Sequence, residues 1–169
     1  MEQIELDDID LRLLEQLQKD ASLSNLELAQ RVFTSPPTCL RRVKRLRDAG
    51  VIEHQIAVLS PDTLASVLGH GLSAIVEITL DRQGTDWLDA FEQRVLADDA
   101  VQQCYRVSPG PDFVLVIHAA DMAQYHALTQ RLFTSDANVR NVKAFFSVKR
   151  AKFGAQLPLR PATVTPAAG

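Results

Sequence analysis

Six cationic side chains, Arg31, Arg41, Arg42, Lys44, Arg45 and Arg47, fall within seventeen residues, and Asp48 is the single acid between Arg31 and Gly50. Such a cluster can neutralise a row of phosphates and release their counterions. The whole chain does not favour polyanions, because 18 Lys and Arg stand against 21 Asp and Glu for a formal net charge of -3. Any polyanion site is therefore confined to this stretch. A solvated helix face is the plain alternative for a basic run of this kind.

A second candidate is the turn Ser108, Pro109, Gly110, Pro111, Asp112. Its carboxylate can close the turn through a backbone amide or hold an ammonium group by a charge-assisted bond. The four histidines, His54, His70, His118 and His126, show no i, i+4 pair and no carboxylate motif, so a metal site is not expected. Cys39 and Cys104 form no C-x-x-C pattern and read as packing thiols in a reducing compartment. No G-x-G-x-x-G, G-x-x-x-x-G-K or G-x-S-x-G occurs, so no catalytic residue and no cofactor are assigned.

The elements that must position the cations come next. Residues 7–18 place Ile9, Leu13, Leu14 and Leu17 at helical spacing behind Asp7 and Asp8. Ser24 and Glu27 form a capping-box pattern ahead of Leu28, Ala29 and Val32. Ser35 with Pro36 and Pro37 opens a third helix that Gly50 closes. On that helix Cys39, Val43 and Leu46 share one stripe, and Thr38, Arg41, Lys44 and Arg45 lie on or near the opposite one. Residues 51–59, rich in aliphatic side chains, read as a two-stranded wing. A short capped helix, a tight turn, a cationic helix and a wing describe a winged helix-turn-helix, which sets its recognition helix in the DNA major groove.

Residues 60–71, with Pro61, Gly69 and Gly71, carry the boundary signals of a linker. Beyond it come a strand from Leu72 to Leu80, a helix with Trp87, Phe91 and Val95 as a core stripe, strands at 101–107 and 113–118, a helix opened by Asp121, and a strand at 142–148. The order βαββαβ is that of a ferredoxin-like fold, so the fold class is α+β. Phe113, Leu115 and Ile117 alternate with the equally apolar Val114 and Val116, although helices cover only one face of such a sheet. Phe145 and Phe146 likewise take opposite faces, so a second copy is expected to pack its sheet on this one.

The 169 residues thus divide into a DNA-binding domain (1–59), a linker (60–71), a ferredoxin-like domain (72–154) and a proline-rich tail (155–169) expected to be mobile. The acidic start, MEQIELDDID, is no signal peptide, and no apolar run is long enough to span a bilayer, so a cytoplasmic protein without a membrane partner is expected. A ligand-binding ferredoxin-like protein whose basic helix is mere surface is the competing functional reading.

LRRVKRLRDAGVI, preceded by SNLELAQRV and followed by VLSPDTL, resembles the helix-turn-helix half of the Lrp/AsnC family, the leucine-responsive or feast/famine transcriptional regulators of prokaryotes. RVSPGPDFVLVIHAADMAQYHAL resembles a turn, strand and helix of the family's amino-acid-sensing domain, and QLPL its tail. The resemblance covers nearly the whole chain. It implies a homodimer built through the sensing domains and assembled further into tetramers or octamers. It also implies double-stranded DNA as partner and a free amino acid bound near the turn before Phe113. Carried over, Ser35, Thr38, Arg41, Arg42, Lys44 and Arg45 would contact DNA, and Ser108, Pro109, Gly110 and Asp112 would line the effector pocket. This chain departs from the family pattern where Phe33 and Pro109 stand in place of glycines.

Overall fold

The structure, a computed structural model, describes residues 4–69 and 71–159. His70 and tail residues 160–169 lie outside the described residues. The chain forms two compact units, one of residues 1–58 with 152–169 and the other of residues 59–151.

The first unit is built on α1 (Asp8–Lys19), α2 (Asn25–Arg31) and α3 (Pro36–Asp48). Asp7 caps α1, its side chain accepting from the amides of Ile9 and Asp10, while the Asp10 carboxylate returns to the Asp7 amide. The same reciprocal box joins Ser24 and Glu27 at the start of α2. The apolar stripes of the three helices meet in a core of Leu13, Leu28, Ala29, Val32, Cys39 and Val43, with Ile9, Leu17, Leu23 and Ile52 packed around it. Burial pushes the Cys39 thiol up from its ordinary value.

The expected wing is not formed: residues 51–60 contain no strand. Val51 and Ile52 both turn back to donate to the Leu46 carbonyl, and Ile52 is used as core. Ile56, Val58 and Leu59 then stand exposed. Glu53, His54 and Gln55 supply no residue suited to positive φ at a hairpin turn, and two strands without a packed face are marginal. From the tail, Leu157 donates to the side-chain oxygen of Gln18 at 2.6 Å and its carbonyl accepts from the same amide at 3.2 Å. Gln156 adds a bond to the Gln18 carbonyl at 3.3 Å.

The second unit opens with α4 (Pro61–Leu68), a helix inside the stretch read as linker. Ser60 caps it and Pro61 occupies its first turn, the same Ser-Pro start as α3. There follow β1 (Leu72–Leu80), α5 (Thr85–Leu96), β2 (Val101–Arg106), β3 (Phe113–Ala119), α6 (Met122–Thr129) continued by a π-helical turn (Gln130–Thr134), and β4 (Val139–Phe146). All pairings are antiparallel and the sheet order is β2-β3-β1-β4. Ala74, Val76, Ile78, Leu80, Phe113, Leu115 and Ile117 point from β1 and β3 into a core completed by Phe91, Val95, Leu128, Leu132 and Phe133. On α5 Leu88, not Trp87, packs with this core. Trp87 is 44% exposed and lies under the Arg82 guanidinium, 4.9 Å from the ring centre. The last strand begins three residues earlier than expected because β1 pairs with it from Leu80 opposite Val139 to Ala74 opposite Phe146.

The other sheet face carries Ile75 opposite both Val116 and Phe145, Glu77 opposite Val114 and Lys143, and Tyr105 opposite Val114. Ile75, Tyr105 and Phe145 are exposed there, while Val114 and Val116 are half-buried.

Candidate functional site

Helix α3 starts where the chain leaves α2 through Phe33, Thr34 and Ser35. The Asn25 side chain donates to the Pro36 carbonyl at 2.9 Å and so ties the first turn of α3 to the first residue of α2. Ser35 has the extended backbone of an N-cap, yet its hydroxyl donates to Thr38 Oγ1 at 2.9 Å rather than accepting from a helix amide. With proline at both of the first two positions, fewer amides ask for a cap. Ser35 and Thr38 thus form a hydroxyl pair at the N-terminal end of the helix, where the dipole favours anions.

The cations of α3 divide into two groups. Arg42 reaches inward, bonding Asp10 at 2.9 Å and Asp7 at 2.8 Å. Arg45 bonds the other oxygen of Asp10 at 2.5 Å while its side chain stays about half exposed. The Asp10 carboxylate is buried and serves three donors: the Asp7 amide, Arg42 and Arg45. It locks α3 onto the start of α1, as buried charges require partners. The Arg42 guanidinium is held above its ordinary pKa first by the Asp10 hydrogen bond and next by Asp7. Asp7 in turn is held below its ordinary value by the Asp10 amide and by Arg42.

Arg41 is exposed and has no ion pair among the described residues, and Lys44, also exposed, meets only Asp48 across one helical turn at 3.4 Å. Thr38, Arg41, Lys44 and Arg45 therefore share an accessible face, whereas Arg42, also named as a contact from sequence, lies behind it in the α1 junction. In the second unit Arg94, Arg106 and Arg131 are each paired, with Asp136, with Asp89 and Glu92, and with Asp98.

At the turn 108–112 the peptide before Pro109 is cis and Gly110 has φ of 125°. Ser108, Pro109 and Gly110 are exposed. Asp112 is half-buried: one carboxylate oxygen accepts from the Leu80 amide at 2.7 Å, its own amide donates to the Ile78 carbonyl at 2.8 Å, and its carbonyl accepts from Val107 at 3.0 Å. The side chain therefore joins the end of β1 to the β2–β3 turn and leaves the backbone of 108–110 facing solvent.

Residues 73–157 match the family described as Lrp/AsnC ligand binding domain, and residues 6–53 match winged helix-turn-helix DNA-binding. The chain is 35% identical over 156 residues to the leucine-responsive regulatory protein of Rhizobium meliloti, covering 92% of this chain and 97% of that one. The chain belongs to the Lrp/AsnC family. A second relative, an uncharacterised HTH-type transcriptional regulator of Haemophilus influenzae, is 37% identical over 147 residues, or 87% of this chain and 85% of the other. Among solved structures, a Neisseria meningitidis transcriptional regulator in complex with L-Met superposes with a TM-score of 0.78 at 32% identity. It covers 92% of this chain and 97% of that one. An AsnC family regulator from Agrobacterium tumefaciens gives 0.78 at 28% identity, over 91% of this chain and 97% of the other. The Lrp/AsnC chain is accordingly a helix-turn-helix transcriptional regulator of α+β fold.

Two side chains that position α3, Asp10 and Asn25, and one that braces the second unit, Asn138, are not among the residues picked out from the sequence pattern. Asp10 had a signal, since Asp7 and Asp10 stand at capping-box spacing. Asn138, which brackets the turn after β1 through the Arg82 backbone, had none because its partner is 56 positions away.

Proposed function

We propose that this regulator reads DNA with α3, Ser35, Thr38, Arg41, Lys44 and Arg45 meeting the duplex while Arg42 aims the helix from behind. The observation that carries this reading is the open face of α3, where Arg41 has no ion pair among the described residues and Lys44 meets only Asp48, beside Thr38 and the half-exposed Arg45. Such cations supply the salt-dependent part of DNA affinity, and the hydroxyls of the first turn approach base edges.

Residues 1–59 are the DNA-reading domain and 72–154 the sensing and assembly domain. The exposed row of Ile75, Tyr105 and Phe145 on the uncovered sheet face supports pairing with a second copy, and the assembly is a homodimer that builds into a tetramer or octamer. A free amino acid binds beside 108–112, where the Gly110 region offers open backbone to a carboxylate and Asp112 has a carboxylate oxygen beyond the one given to Leu80. Regulation rather than catalysis is its work, carried out in the cytoplasm. The amino acid acts by binding one assembly more tightly than another.

The test is fluorescence anisotropy of the full chain with its own upstream DNA and with scrambled duplex, over a salt series, with and without the twenty amino acids. Sequence-preferring binding with a steep salt slope, shifted by one or more amino acids, is expected. Absence of binding to any duplex at low salt refutes the α3 interface, and an unshifted isotherm refutes the effector site.

A further inference from the structure

Helices α2 and α3 end in the same hydrogen-bond motif. After α3, Gly50 donates to the Arg47 carbonyl and Val51 to the Leu46 carbonyl, each at 2.9 Å, with Gly50 at φ 72°. After α2, Phe33 donates to the Gln30 carbonyl at 3.3 Å and Thr34 to the Ala29 carbonyl at 3.0 Å, with Phe33 at φ 58°. This closure needs a left-handed residue, which glycine supplies without a Cβ clash. The chain uses glycine at one end and phenylalanine at the other, the one non-glycine positive φ among the described residues. Phe33 gains no core burial in exchange, for it is 86% exposed. A strained backbone carrying an exposed aromatic ring is unfavourable twice over within the unit itself, so its use lies outside the unit.

The surroundings select the partner. Between Arg31 and Arg47 the chain holds no acid, and Leu40, 61% exposed, sits one turn from Lys44 on α3. An exposed apolar ring at the entry to α3, in a stretch of chain whose only charges from Arg31 to Arg47 are cationic, fits an anionic partner that offers a small apolar group, and in the major groove only thymine does so, through its 5-methyl. We propose that Phe33 is a specificity residue that packs on a thymine methyl beside the first turn of α3. This rests on the DNA reading above.

The test begins with selection of duplexes from a random-sequence library by the full-length wild type and by Phe33→Gly. Phe33→Asn serves as a second variant that also accepts positive φ. Binding of the recovered wild-type duplex is then measured with each thymine replaced in turn by deoxyuridine. Expected is a rise in the melting midpoint of the first unit by about 4 °C in both variants as backbone strain is relieved. Together with it, one thymine per half-site should lose its preference in the variants. Deoxyuridine at that position should weaken the wild type about fourfold and leave the variants unchanged. Identical selected sequences for wild type and variants overturn the proposal. So does equal weakening of the variants on every duplex, which marks a sugar contact, or an altered oligomeric state with unaltered DNA binding, which marks a contact between copies. If the wild type recovers no duplex at all, the DNA reading itself has failed and this proposal falls with it.

Discussion

Arg41 and Arg42 are adjacent and chemically identical, and replacing each by alanine should give opposite phenotypes. Arg42→Ala strips the buried Asp10 carboxylate of one of its two guanidinium partners. A buried acceptor deprived of a charged hydrogen bond loses about 2 kcal/mol. In a unit of this size that lowers the melting midpoint by about 8 to 16 °C. Arg41→Ala removes an exposed side chain without an ion pair among the described residues, so stability should stay within about 0.5 kcal/mol of wild type. The slope of log affinity against log salt should become shallower by about 0.9 for each Arg41 that meets a phosphate. Far-ultraviolet circular dichroism follows the melting of the helices of both units, α1, α2 and α3 among them. The single tryptophan, Trp87, lies in the second unit and serves as an internal control. Anisotropy over a salt series reads the slope. Equal destabilisation by the two substitutions, or a lost phosphate contact in a fully stable Arg42→Ala protein, refutes the division of labour on α3.

Three further outcomes follow from other parts of the molecule. Asp7 has its carboxyl lowered by the Asp10 amide and by Arg42, so it adds stability above its unfolded pKa that is lost as pH falls through the folded value. Melting midpoints should therefore drop on acidification below about pH 4, and Asp7→Asn should flatten part of that drop, whereas superimposable acid limbs would contradict the box. If the proposed dimer pairs through the open sheet face, aspartate at Ile75 or Phe145 should lower the sedimentation coefficient to that of a monomer, and an unchanged coefficient would remove this face from the assembly. Gly50→Ala meets open space but a φ of 72°, so it should lower stability by about 1 kcal/mol through backbone strain alone, checked by chemical denaturation.

Local chemistry made most of the fold legible. The boxes at Ser24 and Glu27, the Ser-Pro start of α3 and the alternating strands all follow from neighbours within four residues. Helix α4 carried the same Ser-Pro start, but Gly69 and Gly71 close behind it weighed toward a linker. The wing failed because aliphatic content alone does not supply a turn. Trp87 failed because helical spacing admits two neighbouring stripes, and the sheet chose the one through Leu88. At the site, periodicity placed Arg41, Lys44 and Arg45 on a common face. It could not foresee that Arg42, one residue on, would find a buried carboxylate 32 positions earlier in the chain.

The bonds between Gln18 and residues 156–157 give the first unit both ends of the described chain, so the second unit is spliced into it and not appended to it. With Gln18 holding residues 156 and 157, residues 59–151 are an insertion whose two flanks, 58 and 152, belong to the same folded unit, so that unit is completed only after the inserted one has been traversed by the chain.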